Sequence, residues 1–274
     1  MINKFGVMQG RLSKPLNGKI QSFPKKTWEK EFSLAKKLSL KYIEWTLDQK
    51  DLYKNPLLNE EGRNKINKLC KKNNIKVISI TGDCFMQKPF WKEKKNLKKK
   101  LLIDLKNIIS SASKMNIKYL ILPLVDNGSI KNNSQENTIY IELKKLIPIL
   151  KKNKLKILFE TDFNPIKYFN FIKKFKKNFF GINYDIGNSA SYNFDPIAEF
   201  KKYGKYIKNI HAKDRKKFGN TVPLGKGNSN FRLIFNLCRK YKYKGSFIVQ
   251  AAREKSGAEL KTISKYLTYL KKQF

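Results

Sequence analysis

Residues 156–185 read KILFETDFNPIKYFNFIKKFKKNFFGINYD. Lys156–Glu160 is a short apolar run that closes on a carboxylate, and Gly181–Asp185 is a second run of the same kind. Between them, Ile166–Lys177 carries apolar residues at helical spacing with lysines filling the other faces. Two buried strands joined by an amphipathic helix make a βαβ unit, which requires the strands to run parallel.

The same alternation extends in both directions. Phe5–Met8, Tyr42–Trp45, Val77–Ile80, Tyr119–Val125, Ile207–His211 and Ser246–Gln250 read as strands. Trp28–Leu38, Glu61–Asn73, Leu97–Met115, Thr138–Lys152, Pro196–Tyr203, Phe231–Tyr241 and Ala258–Lys272 read as helices. Asp195-Pro196 pairs an N-cap with proline at the first helical position. Eight strands alternating with eight helices in 274 residues predict an α/β fold, a (β/α)8 TIM barrel spanning residues 1–274 as a single domain. The competing open sheet would usually show a glycine-rich first turn, and Gln9-Gly10-Arg11-Leu12-Ser13 matches neither GxGxxG nor a P-loop. The longer loops Ser13–Pro24, Gln87–Glu93 and Asp126–Asn137 all follow strands, so they gather on the rim where barrels build their sites.

Composition excludes several classes. With 41% hydrophobic residues the chain can bury a core, and its longest apolar run, Tyr119–Val125, is far short of the ~20 residues that cross a bilayer. Met1–Phe5 shows no signal-peptide pattern, and three cysteines (Cys70, Cys84, Cys238) without CxxC spacing read as free thiols, so a cytoplasmic location is expected. The net charge of +39 comes from 60 basic and 21 acidic residues, and only six of the basic ones are arginine. Lysine recurs on every solvated helix face, the mark of compositional bias rather than of a dedicated nucleic-acid patch. The charge would still steer anionic small molecules.

Barrel chemistry sits at the carboxyl ends of strands. There the last four strands carry Glu160, Asp185, His211 and Gln250, and His211 is the only histidine of the chain. Two carboxylates, an imidazole and an amide oxygen suit a divalent cation, and the absence of thiolates argues against structural zinc. Further contact candidates on this rim are Arg11, Glu44, Asp83, Asn188, Lys213, Arg215 and Arg253. Trp45 either covers a sugar face or is core, and Thr221–Gly227 is either a lid or anion cradle or a plain turn.

Several segments together resemble the sugar phosphate isomerase/epimerase proteins of the xylose-isomerase-like barrel superfamily. They are Gly6–Ser13, Tyr42-Ile43-Glu44-Trp45, Phe159-Glu160-Thr161-Asp162, Tyr184-Asp185-Ile186-Gly187-Asn188, His211-Ala212-Lys213-Asp214-Arg215 and Leu224-Gly225-Lys226-Gly227. The resemblance implies one divalent metal, Mn²⁺ first with Mg²⁺, Co²⁺ or Zn²⁺ as alternatives, held by Glu160, Asp185, His211 and the residue closing the eighth strand. It implies an isomerase or epimerase that acts on a keto sugar, sugar phosphate or related polyol derivative through an enediolate, with Glu160 as base. In such relatives the eighth-strand residue is a second glutamate that exchanges protons. Here it is Gln250, whose amide can coordinate but cannot act as a base. A two-base epimerisation then needs another proton donor, with Asp83, Asp214 or a water as candidates. A lyase or dehydratase, a non-catalytic sugar-binding relative and an endonuclease-IV-like DNA-repair enzyme are the alternatives, and a single histidine opposes the last. The partners expected are a small-molecule sugar or sugar phosphate, with no specific nucleic acid and no membrane; homo-oligomerisation stays open.

Overall fold

The computed structural model describes residues 4–16, 18, 20–254 and 256–274. Eight parallel strands close into a barrel: β1 (Phe5–Met8), β2 (Tyr42–Thr46), β3 (Lys76–Thr81), β4 (Tyr119–Leu124), β5 (Lys156–Thr161), β6 (Phe180–Asp185), β7 (Ile207–Ala212) and β10 (Ser246–Val249). A two-stranded antiparallel hairpin, β8 (Asp214–Arg215) and β9 (Thr221–Val222), is inserted after β7, so β10 is the eighth barrel strand. The strand order β1-β10-β7-β6-β5-β4-β3-β2 closes because β1 pairs with both β2 and β10.

The connections are helices α1 (Lys30–Lys37), α2 (Glu60–Asn73), α3 (Asp83–Gln87), α4 (Lys95–Lys114), α5 (Asn133–Lys145), α6 (Ile147–Lys152), α7 (Pro165–Ile172), α8 (Ile186–Ser191), α9 (Pro196–Tyr203), α10 (Phe231–Lys240) and α11 (Glu259–Gln273). Local chemistry sets their ends. Asn59 caps α2 by accepting from the Gly62 amide at 2.7 Å, Glu60 and Glu61 sit in its first turn, and Asn74 ends it in the left-handed conformation.

The expected Thr138–Lys152 helix is two helices, α5 and α6, because Pro148 has no N–H to continue the first. The Gln87–Glu93 and Asp126–Asn137 loops are partly ordered: α3 runs into the first, and α5 begins inside the second at Asn133. Within the Ser13–Pro24 loop, residues 17 and 19 lie outside the described residues.

The core between barrel and helices is strongly aromatic. Phe159 of β5 packs on Phe171 and Phe175, with ring centroids 5.0 and 4.8 Å away. Trp45 belongs to this layer and not to a sugar face: it is fully buried, packs on Phe23 and Trp28, and donates its indole N–H to Asn55. No helix among the described residues is long and apolar enough to cross a membrane.

Candidate active site

The barrel interior is not wholly apolar. Strand alternation points every second side chain inward, and several of those positions are polar: Glu44, Ser79, Asn183, Asp185, Asn209, His211 and Ser246, all buried. Register brings them level, with Asp185 beside His211 and Asn183 beside Asn209 on β6 and β7, and Asn209 beside Ser246 on β10.

At the centre is His211. Its Nε2 lies 2.6 Å from Glu44 Oε1, so Nε2 carries the proton donated to that carboxylate. Glu44 Oε2 in turn accepts from Ser79 Oγ at 2.7 Å and Asn209 Nδ2 at 2.9 Å. Asn209 also donates to Asn183 Oδ1 and accepts from Ser246 Oγ, which closes a network across five strands. The other ring nitrogen, Nδ1, faces Glu160 Oε2 at 3.3 Å and Asp185 Oδ2 at 3.9 Å. Burial disfavours an imidazolium here, but Glu44 and Glu160 together outweigh it and hold the His211 pKa well above its ordinary value.

Glu160 is oriented from both sides. Asn183 Nδ2 donates to Oε2 at 2.8 Å and Asn188 Nδ2 to Oε1 at 2.9 Å. Asn188 is itself held by Arg215 Nη1 and Lys213 Nζ, which both donate to its Oδ1. Asp185 Oδ1 caps α8 by accepting from the Asn188 amide at 2.8 Å, leaving Oδ2 toward Lys213 Nζ, 3.1 Å away, and His211. The glycine in Tyr184–Asn188 has a steric reason: a Cβ on Gly187 would stand 2.7 Å from Lys213 Cγ.

The structure thus brings Glu160, Asp185 and His211 together, with one ligand atom of each within 4.8 Å of the others. A single ion with bonds of ~2.0–2.4 Å can reach all three. The donor set fits a divalent cation, since two carboxylate oxygens join an imidazole whose Nδ1 would release its proton to an incoming ion while Nε2–H stays on Glu44. Gln250 follows β10 on the inward side, two residues beyond Ile248, the register partner of His211. Its Oε1 is buried with no hydrogen-bond partner.

The structure gives other sequence candidates different work. Glu44 cannot touch substrate, because it is fully buried beneath His211 with both oxygens bonded. Arg253 does not present a free guanidinium; it donates to the Gly10, Ser13 and Ile20 carbonyls and pins the β1–α1 loop. Arg11 is buried, donates to the Ile20 carbonyl, and has its pKa pulled down to about 9, chiefly by burial and by Arg253. Arg215 braces Asn188 and the Gly219 carbonyl. The amides of Gly225, Gly227 and Ser229 converge on Asp214, so the glycine-punctuated Thr221–Gly227 segment cradles the chain's own carboxylate rather than an external anion. Both Asp214 oxygens are thereby occupied by backbone amides.

Six buried side-chain polar atoms among the described residues lack a partner: Gln9 Nε2, Arg11 Nε, Gln21 Oε1, Gln49 Oε1, Asp83 Oδ2 and Gln250 Oε1. Such atoms are rare in protein interiors, and all six stand beyond the carboxyl ends of β1, β2, β3 and β10, around the same barrel mouth. Sequence reasoning missed Asn183, Asn209, Ser79 and Ser246. Their signal was period two: Asn183 precedes Asp185, and Asn209 precedes His211, by one inward step.

Comparison with known proteins agrees with this architecture. Residues 32–273 match the family model described as xylose isomerase-like TIM barrel, and the chain belongs to that family. A Haemophilus influenzae protein named "Putative L-ribulose-5-phosphate 3-epimerase SgbU" is 22% identical over 245 residues, covering 84% of this chain and 85% of that one. The D-psicose 3-epimerase of Clostridium cellulolyticum H10, solved with D-tagatose, superposes with a TM-score of 0.75 at 12% identity, over 98% of each chain. The IOLI protein, solved with a bound zinc atom, superposes with a TM-score of 0.73 at 14% identity, over 98% of this chain and 96% of that one.

Proposed function

We propose that this protein is a divalent-metal-dependent isomerase or epimerase of keto sugars or their phosphates. The observation that carries the reading is the convergence of Glu160, Asp185 and His211 on one point at the barrel mouth, with the His211 tautomer set by Glu44. Glu160, Asp185, His211 and the Gln250 amide oxygen would hold the ion. With an amide in place of a fourth charged ligand the donor set carries −2, and Mn²⁺ is the ion we assign to it. The names of the relatives, an L-ribulose-5-phosphate 3-epimerase and a D-psicose 3-epimerase, support sugar chemistry at this site.

When bound, the ion supplies electrostatic stabilisation of the negative charge that develops on the substrate oxygens. The chain's own residues do the rest. Glu160, steered by Asn183 and Asn188, takes the proton from the carbon next to the carbonyl. Gln9 and Arg11 offer unpaired donors that hydroxyl groups of a sugar would satisfy. Lys213, beside Asp185 and Asn188, brings positive charge to the same rim for an enediolate or a phosphate. The single histidine is already one ligand, which leaves none for a multi-metal phosphodiesterase.

The test is solvent-deuterium exchange. Purified protein is incubated in D2O with Mn²⁺ and a panel of keto sugars and keto-sugar phosphates, and NMR follows deuterium at the carbon next to the carbonyl. Metal-dependent exchange that disappears in Glu160→Gln is the expected result. Tight sugar binding without exchange would instead make the protein a binding relative.

A further inference from the structure

Inverting a carbon next to a carbonyl requires proton removal on one face and delivery on the other. Gln250 has no proton to exchange, so a second group must exist if the stereocentre inverts. Most buried carboxylates of this rim are already engaged at both oxygens or by backbone amides. Glu44 is bonded at both oxygens behind His211. Asp185 caps α8 with one oxygen and meets Lys213 with the other. Asp214 accepts three backbone amides, and Glu31 holds the Gly10 and Leu12 amides. Asp83 differs. Thr81 Oγ1 donates to its Oδ1 at 2.6 Å, while Oδ2 is buried and has no partner, in a residue only 5% exposed.

We propose that Asp83 is the second proton-transfer residue of this site, a general acid and base acting on the face of the sugar carbon away from Glu160. This rests on the isomerase or epimerase reading above. Position supports it: Asp83 stands immediately beyond β3 and Glu160 near the end of β5, with β4 between, so the two enter the same mouth from strands that are not neighbours. The groups around Asp83 suit the task. Burial above all, then, against the Thr81 bond, the negative charges of Asp48, Glu160 and Glu44, push its carboxyl up to about 7, with Arg11 the nearby cation. A carboxyl of that kind holds its proton near neutrality and can release it.

The step balances. Glu160 takes the proton, and the C–H electron pair moves into the enediolate. The enediolate carbon then takes the proton from Asp83 Oδ2 on its opposite face, forming the new C–H bond and restoring the carbonyl. Glu160 ends protonated and Asp83 ionised, and both reset by exchange with water. In the reverse direction the roles exchange.

The experiment measures two quantities on one panel, D-tagatose and L-ribulose 5-phosphate included, in D2O with Mn²⁺: deuterium incorporation by NMR and epimer formation by chromatography. Wild type should show both. Asp83→Asn should keep exchange, because Glu160 is untouched, and lose epimer formation by about 10²–10⁴-fold. Asp83→Glu should recover part of it, and calorimetry should show unaltered Mn²⁺ binding in both variants. Epimer formation by Asp83→Asn at the wild-type rate overturns the proposal. So does parallel loss of exchange and epimer, which would make Asp83 a support for Glu160, and so does a wild type that exchanges but never inverts. A wild type that does neither overturns the assignment of Glu160 as well.

Discussion

Glu44→Gln isolates the one contact on which the metal reading of His211 depends. The carboxylate accepts at both ends, from His211 Nε2 at 2.6 Å on Oε1 and from Ser79 and Asn209 on Oε2. A glutamine has a single acceptor oxygen and must choose. With its oxygen toward His211, its amide N–H groups face the Asn209 donor, and a buried hydrogen bond is lost at about 1–3 kcal/mol. With its oxygen toward Ser79 and Asn209, its N–H groups face Nε2, which must then accept, and the ring proton moves to Nδ1, where it blocks ligation. Either arrangement weakens the ion. The expected loss is about 10–100-fold in affinity, equivalent to about 1.4–2.7 kcal/mol. Calorimetric titration of Mn²⁺ into the metal-free variant measures it, with circular dichroism showing that the barrel remains folded. An unchanged dissociation constant in a folded variant would mean that Nδ1 is not a ligand or that Glu44 does not set the tautomer.

Other expectations follow from the same geometry. Gln250→Glu raises the donor charge from −2 to −3 and should tighten Mn²⁺ binding by titration; identical affinities would remove Gln250 from the ligand set. Glu31, whose carboxyl is raised from 4.5 to about 7 chiefly by burial, stabilises the fold most below pH ~4.5, and that contribution is lost as pH rises through about 7. Wild type should therefore lose up to about 3 kcal/mol between pH 5 and 8.5 relative to Glu31→Gln in urea unfolding; parallel pH curves would contradict the assignment. Arg253→Ala removes three bonds to the β1–α1 loop carbonyls and should cost roughly 2–4 kcal/mol while exposing that loop to limited proteolysis; an unaltered cleavage pattern would show the loop is held otherwise.

The fold was legible because a barrel is written in a repeated local signal, apolar strand then amphipathic helix, and β1 and α9 begin and end where their patterns do. Misreadings occurred where one residue acts against the pattern. Pro148 divides a continuous helical period, and α3 and α8 are too short for a period to register. The triad was legible because Glu160, Asp185 and His211 each stand at or next to the last residue of an apolar strand. The supporting residues were not, since Asn183 and Asn209 sit inside strands where a polar side chain looks like a break, and only closure turns it inward toward Glu44 and His211. Charge misled in a different way. The rim arginines drew notice by their rarity, yet Arg253 meets backbone carbonyls, whereas Lys213, one lysine among many, lies against Asp185.

That distribution explains how a chain of net charge +39 keeps an acidic centre. The surface lysines lie in water, where their field is screened within about 8 Å at physiological salt. Glu44, Glu160 and Asp185 lie inside the barrel and have three cationic or polar answers: the His211 ring, the Lys213 ammonium and the Asn183–Asn188 amides. Removing the two ring nitrogens of His211 leaves Glu44 facing Glu160 and Asp185 across the interior with only amide and hydroxyl donors between them. His211→Ala should therefore lose Mn²⁺ binding and also unfold at lower urea than wild type, because the buried carboxylates then face one another without the imidazole between them. A His211→Ala variant that loses the ion but keeps wild-type stability would show that the polar network, and not the imidazole, neutralises the barrel interior.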